Sequence, residues 1–194
     1  MSRDWSGYCA IGHGRPAALD TGEPARLADA VRTLDLRYVV ITSVDRDDLA
    51  DGGASIFAGS IRAIRAERPD TRIEVLIPDF QGMAEPLRTV LDAGPDVLNH
   101  NTETVPRLYL TVRPQADYQQ TLRVLRRAKA MDPTVLTKTG IMVGLGESKD
   151  ELDALMTDLV AADIDILTVG QYLRPTERHL PVVRYWHPDE FKAL

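Results

Sequence analysis

Arg37-Tyr38-Val39-Val40-Ile41-Thr42 is a short, nearly continuous β-branched run. Such a run reads as a strand buried on both faces. What flanks it decides the fold. On its N-terminal side Leu27, Val31 and Leu34 recur at helical spacing, and Asp20 and Glu23 are placed as a capping box with Pro24 in the first turn. On its C-terminal side Phe57, Ile61 and Ile64 mark a second amphipathic helix that ends before Pro69. The cycle then repeats. Ile73–Ile77 reads as a strand stopped by Pro78, and Leu87, Val90 and Leu91 as a helix closed by Gly94-Pro95. Asp96–Asn101 is a short strand, and Leu122, Leu125 and Ala128 mark the helix after it. Thr134–Gly144 is a strand that becomes a glycine-rich turn, followed by Leu152, Leu155, Met156 and Leu159 at helical spacing. Ile164–Gln171 is the last clear strand, and a short helix begins near Pro188.

Strands alternating with helices predict an α/β fold with a parallel sheet, either open and doubly wound or closed toward a barrel. Polar and glycine-rich residues gather after the strands, at Thr42–Gly53, Asp79–Gly82, Asn99–Thr104, Gly144–Glu147 and Gln171–Thr176. In parallel α/β folds that C-terminal rim is where sites are built. With 194 residues and no repeat or linker, residues 1–194 read as one domain.

Composition narrows the class. Twenty-three basic against 29 acidic residues give a net charge of −6, which argues against a general nucleic-acid binder. The basic cluster Arg123–Lys129 has the spacing of a solvated helix face. A single cysteine excludes a disulfide framework within the chain and fits a reducing compartment. No apolar run approaches membrane-spanning length, and the N-terminus has no apolar h-region, so the expected location is the cytoplasm.

That cysteine, Cys9, closes the frame S-x3-S-x2-C with Ser2 and Ser6. Written with three cysteines, the same frame holds an iron–sulfur cluster by three thiolates and leaves one iron open. Serine hydroxyls are hard, weakly acidic ligands, whereas such clusters are built on soft thiolates. Asp45, Asp47 and Asp48 have the look of a magnesium cluster, but the same run belongs to the rim segment Val40–Gly53, so no second metal is invoked; His13, His100, His179 and His187 are too scattered for a zinc pair.

Four rim segments are more specific than generic loops: Val40–Gly53, Val97–Arg107, Thr137–Glu147 and Thr168–Thr176. With Gly14-Arg15-Pro16 and His179-Leu180-Pro181, this ordered set resembles the lipoyl synthase family of the radical S-adenosylmethionine superfamily. The resemblance runs from Ser2 to the C-terminus. It implies a partial (β/α)6 barrel in which this stretch begins after the first strand. It also implies a reaction. A [4Fe-4S] cluster cleaves S-adenosylmethionine reductively, the adenosyl radical abstracts hydrogen from a protein-bound octanoyl chain, and an auxiliary cluster donates sulfur at C6 and C8. An octanoylated lipoyl carrier domain and an electron donor are the implied partners.

By the resemblance, Cys9 is the third cluster ligand and Ser2 and Ser6 stand at the first two positions. Asp51, Gly52 and Gly53 lie where the methionyl ammonium is contacted. Asn101 and Glu103 match positions near the ribose, and Lys138 one near the methionyl carboxylate. Gly140, Met142, Gly144 and Glu147 fit the pattern G-x-I-x-G-x-x-E, where an apolar strand backs the adenine. The residues by themselves leave alternatives open. Asp51–Gly53 also reads as a turn opening a helix, Asn101 and Glu103 as helix caps, Lys138 as a solvated charge, His100 as a hydrogen-bonded core histidine, and Arg113 as structural. Thr102 replaces a residue commonly apolar in the family, and Thr139 a common serine. The family's auxiliary-cluster cysteine motif and its Arg-Ser-Ser-Tyr segment have no counterpart in the stretch. A second expectation therefore stands beside the first: a catalytically inactive, cluster-free remnant that binds S-adenosylmethionine or a lipoyl carrier domain.

Overall fold

A computed structural model describes residues 7, 8 and 16–194. Helix α1 (Glu23–Thr33) leads into β1 (Tyr38–Thr42), α2 (Ala54–Glu67) and β2 (Arg72–Leu76). Next come α3 (Ala84–Leu91), β3 (Val97–Asn99), α4 (Tyr109–Val112) and α5 (Tyr118–Met131). The chain closes with β4 (Leu136–Val143), α6 (Lys149–Ala161), β5 (Ile166–Gln171) and α7 (Pro188–Phe191). The described strands pair in parallel in the order β1-β2-β3-β4-β5, so each strand lies beside its predecessor. This is the α/β alternation expected from the sequence, wound in one direction as in a partial barrel.

Alternation along each strand divides the sheet into two faces. Val39, Ile41, Ile73, Val75 and Leu98 point to the helices and join a core with Phe57, Ile61, Ile64, Leu87 and Leu125. A second core gathers Ile141 and Val143 of β4 against Leu152, Leu155 and Leu159 of α6, with Tyr109, Tyr118 and Tyr172. The opposite, inner face carries Val40, Glu74, Asn99 and Lys138, matched through the register Val40↔Glu74, Leu76↔Asn99 and Asn99↔Lys138.

Two local expectations are corrected. β1 is not buried on both faces: Tyr38 is 49% and Val40 51% exposed. β1 is an edge of the described sheet, and its inner-face side chains have neighbours only on the β2 side. Asp20 and Glu23 do not form a capping box either. Gly22 stands at the N-cap, and Asp20 Oδ1 accepts the Gly22 N–H at 2.9 Å. Asp20 lies two residues too early to reach the third helical amide. A reciprocal capping box does open α6, where Ser148 Oγ accepts from Glu151 N at 3.3 Å and Glu151 Oε2 from Ser148 N at 2.8 Å.

Candidate active site

The rim segments bring several of the expected residues into contact. After β3 the chain runs on beside β4. Thr102 and Glu103 donate their amides to Gly140 O at 3.1 and 2.8 Å, and Met142 N returns a bond to Glu103 O at 2.8 Å. Glu103 makes this turn at φ 68°, an uncommon backbone for an L-residue. Asn101 Nδ2 then donates to Glu103 Oε1 at 3.1 Å. A methyl on Gly140 would lie 2.8 Å from Asn101 Oδ1, so the absence of a side chain there admits the amide. These two residues do not cap the next helix: the short 3₁₀ turn Pro106–Leu108 has Val105 at its N-cap and no side-chain cap. Burial pushes the Glu103 carboxyl above its ordinary pKa, against the opposing pull of Arg113, Asn101 and Tyr8. Arg113 also donates to Asn101 O at 3.0 Å and lies over the Tyr109 ring.

The two departures from the family pattern meet here. Thr102 Oγ1 and Thr139 Oγ1 are 2.8 Å apart, both fully buried. Thr139 Oγ1 also bonds His100 O and Thr102 N, each at 2.9 Å. A buried hydroxyl requires a partner, and each threonine supplies one for the other. His100 is a hydrogen-bonded core residue, with Nδ1 2.9 Å from Ile77 O.

Lys138, Gly140 and Met142 alternate along β4 onto the inner face, in register with Ile166, Thr168 and Gly170. Lys138 is not a solvated charge. Its Nζ donates to both oxygens of Glu74, at 2.9 and 3.0 Å. Glu74 is 1% exposed and also accepts from Tyr38 Oη at 2.5 Å and Asn99 Nδ2 at 2.9 Å. Burial alone would raise the Glu74 carboxyl. The bonds from Tyr38, Lys138 and Asn99 outweigh it and hold the carboxyl below its usual range. The Tyr38 phenol is pushed up to about 12, by its own burial and by the carboxylate it faces. Glu74, Asn99 and Tyr38 were not anticipated as site residues. The available signal was a lone carboxylate inside the apolar run Ile73–Ile77.

Asp51 opens α2, as the simpler reading of its turn proposed. Its Oδ1 accepts Gly53 N at 3.0 Å and its Oδ2 accepts Ser55 N at 2.9 Å. Against a burial effect that would raise it, these bonds lower its pKa. Gly144 and Glu147 face a different neighbour. Glu147 accepts the amides of Gly144 at 2.6 Å and Leu145 at 3.0 Å, and the Trp186 indole N–H at 3.1 Å. The segment around Val183 to Trp186 crosses this end of the sheet, with Val183 N on Gly144 O and Trp186 N on Gln171 Oε1. Ser2, Ser6 and Cys9 lie outside the described residues. Among the described residues no group of three His, Cys, Asp or Glu side chains is disposed to hold a metal ion, and no helix is long and apolar enough to cross a membrane.

A parallel sheet with polar residues on its inner face and C-terminal rim is an enzyme architecture shared by many families, and the sequence comparison decides among them. The family model described as Radical SAM superfamily matches residues 7–159, and the chain belongs to that superfamily. Among solved structures it resembles HydG, a maturase of the [FeFe]-hydrogenase, with a TM-score of 0.72 over 93% of this chain and 42% of that one at 17% identity. Methylornithine synthase (PylB) gives 0.66 over 89% of this chain and 50% of that one at 15% identity. Within the superfamily the similar sequences are lipoyl synthases. That of Rubrobacter xylanophilus is 60% identical over 95% of this chain, and that of Laribacter hongkongensis 57% over 96%. The chain spans 58% and 60% of the length of these two relatives.

Proposed function

We propose that the chain is the S-adenosylmethionine-binding core of a lipoyl synthase, forming one domain over residues 1–194. The reaction it serves is insertion of two sulfur atoms at C6 and C8 of an octanoyl chain carried by a lipoyl domain, in the cytoplasm, with a separate electron donor. The observation that carries this reading is the Asn101–Glu103–Gly140 cradle beside Lys138 on the inner face, where the side chains of two neighbouring strands converge.

In this reading Asn101 and Glu103 offer acceptors to the ribose hydroxyls, and Lys138, already bonded to both Glu74 oxygens, keeps one N–H for the methionyl carboxylate. The turn Asp51–Gly53 meets the methionyl ammonium. Met142 backs the adenine, while the space at Gly140 is taken by the Asn101 amide and that at Gly144 by Gln171 and the Arg184 carbonyl. Glu147 acts on the site indirectly, by holding the Gly144–Leu145 backbone.

The donor set Ser2, Ser6 and Cys9 does not fit a [4Fe-4S] cluster, because two of its three atoms are hard oxygens. No step is therefore routed through a cluster in this chain. That same donor set favours a second reading, in which the polypeptide binds S-adenosylmethionine or a lipoyl carrier domain without turnover.

One experiment separates the readings. S-adenosylmethionine and, separately, an octanoylated lipoyl carrier domain are titrated into the chain by calorimetry, before and after anaerobic treatment with iron and sulfide. Release of 5′-deoxyadenosine is then assayed with a reductant and an octanoylated peptide. Saturable binding with 5′-deoxyadenosine release selects the enzyme. Saturable binding without release selects the second reading. No binding of either ligand overturns both.

A further inference from the structure

The turn after β2 holds a costly backbone that the proposed site does not yet explain. Phe80, Gln81 and Gly82 adopt φ values of 50°, 53° and 73° in succession. Two of the three are L-residues with full side chains, for which the left-handed region is rare. Helix α5 clamps the turn in this form. Gln120 Nε2 donates to Asp79 Oδ2 at 2.6 Å, while Asp79 Oδ1 accepts Gln81 N at 2.8 Å. Arg127 donates to Gly82 O at 2.5 Å.

The clamped turn delivers one side chain to one place. Phe80 is 2% exposed, and its Cδ1 lies 2.8 Å from where a Cβ on Gly52 would sit. Gly52 is itself at φ 59°. Ring and glycine are thus complementary: the ring fills the space that the missing side chain leaves. Gly52 cannot shift alone. Asp51 on one side binds the Gly53 and Ser55 amides, and Gly53 is the N-cap of α2.

We infer that Phe80 is a positioning residue: its ring, presented by the strained turn, fixes the Asp51–Gly52–Gly53 backbone that meets the cofactor. The inference rests on the proposed S-adenosylmethionine site for its ligand, but its structural half stands on the contact itself. The ring also belongs to the core with Ile61, Ile64 and Leu87, and its close approach to Gly52 is the contact that links this core to the rim turn. Gln120 and Arg127 of α5 hold the turn that carries the ring.

The test uses the full chain and four variants: Phe80→Ala, Phe80→Leu, Gly52→Ala and the double variant Gly52→Ala/Phe80→Leu. Three quantities are read: amide hydrogen exchange at Gly53 and Ser55, S-adenosylmethionine affinity by calorimetry, and thermal midpoint. Phe80→Ala is expected to speed exchange at both amides about tenfold and to weaken affinity about tenfold. Phe80→Leu should retain most of both. Gly52→Ala should weaken affinity, and adding Phe80→Leu should restore part of it, because the added methyl no longer meets the ring. A lower midpoint with unchanged exchange and affinity in Phe80→Ala would overturn the inference. If the unaltered chain binds no S-adenosylmethionine, the functional reading fails, while exchange at Gly53 and Ser55 still decides the role of Phe80.

Discussion

Glu74 stands in a strand otherwise fit for a core, and every group that faces its carboxylate donates to it. Tyr38, Asn99 and Lys138 come from three different strands, so the cluster ties β1, β3 and β4 to β2 on the inner face. Asn99 must turn its Nδ2 to the carboxylate, which leaves its Oδ1 buried with no hydrogen-bond partner among the described residues. The carboxyl titrates below its usual range, so the cluster's contribution is complete above the ordinary glutamate value of 4.5 and is lost as pH falls through the lower folded value. Glu74→Gln should destabilise the chain by about 2 kcal/mol at pH 7, less than for a fully buried pair because Lys138 remains partly solvated. The double variant Glu74→Met/Lys138→Met should cost less than the sum of the single changes. Urea unfolding across pH checks both points. A Glu74→Gln deficit that stays constant down to pH 3 would contradict the ion pair as its source.

Among the elements, α6 shows how charge at a helix start is used. Glu151 closes the capping box and also meets Arg107, whose Nε lies 2.6 Å away. Arg107 and the Ser148 amide hold the Glu151 carboxyl down at about 2. Its stabilising effect is therefore present above 4.5 and fades as pH falls from 4.5 toward about 2. Ser148→Ala should cost about 1 kcal/mol. Arg107→Gln should move the Glu151 titration up toward 4.5, as followed by carboxyl NMR shifts. Titration of Glu151 near 4.5 in the unaltered chain would contradict this account.

Much of this layer was legible in the amino-acid order, because helical spacing and β-branched runs are local signals. All five expected strands and the α7 start at Pro188 appear in the structure. The exposure of β1 was not legible, since which strand lies at an edge is a property of the assembled sheet. Neither was the Glu74–Lys138 pair, whose members are 64 residues apart. The strained Phe80 turn was hidden for a similar reason. Nothing in Pro78–Gly82 signals that α5 will hold it in a left-handed form.

At the scale of the whole molecule, the sheet and the cluster loop place opposite demands on the chain. The inner face is furnished with carboxylate, amide, ammonium and glycine, and hydrogen bonds hold the charged and amide groups in place. The frame that by resemblance matches the family's cluster motif carries one thiol and two hydroxyls, at Cys9, Ser2 and Ser6. If the fold is otherwise competent, restoring the soft donors should be sufficient to load a cluster. The variant Ser2→Cys/Ser6→Cys supplies three thiolates in the frame C-x3-C-x2-C. After anaerobic treatment with iron and sulfide it should bind close to four irons per chain, with the broad visible absorption of thiolate-to-iron charge transfer. The unaltered chain, treated identically, should retain far less iron. Equal loading of the two would mean that hydroxyl donors suffice here, and the objection to cluster chemistry would fall. Equal failure would move the defect from the donor atoms to the loop that carries them.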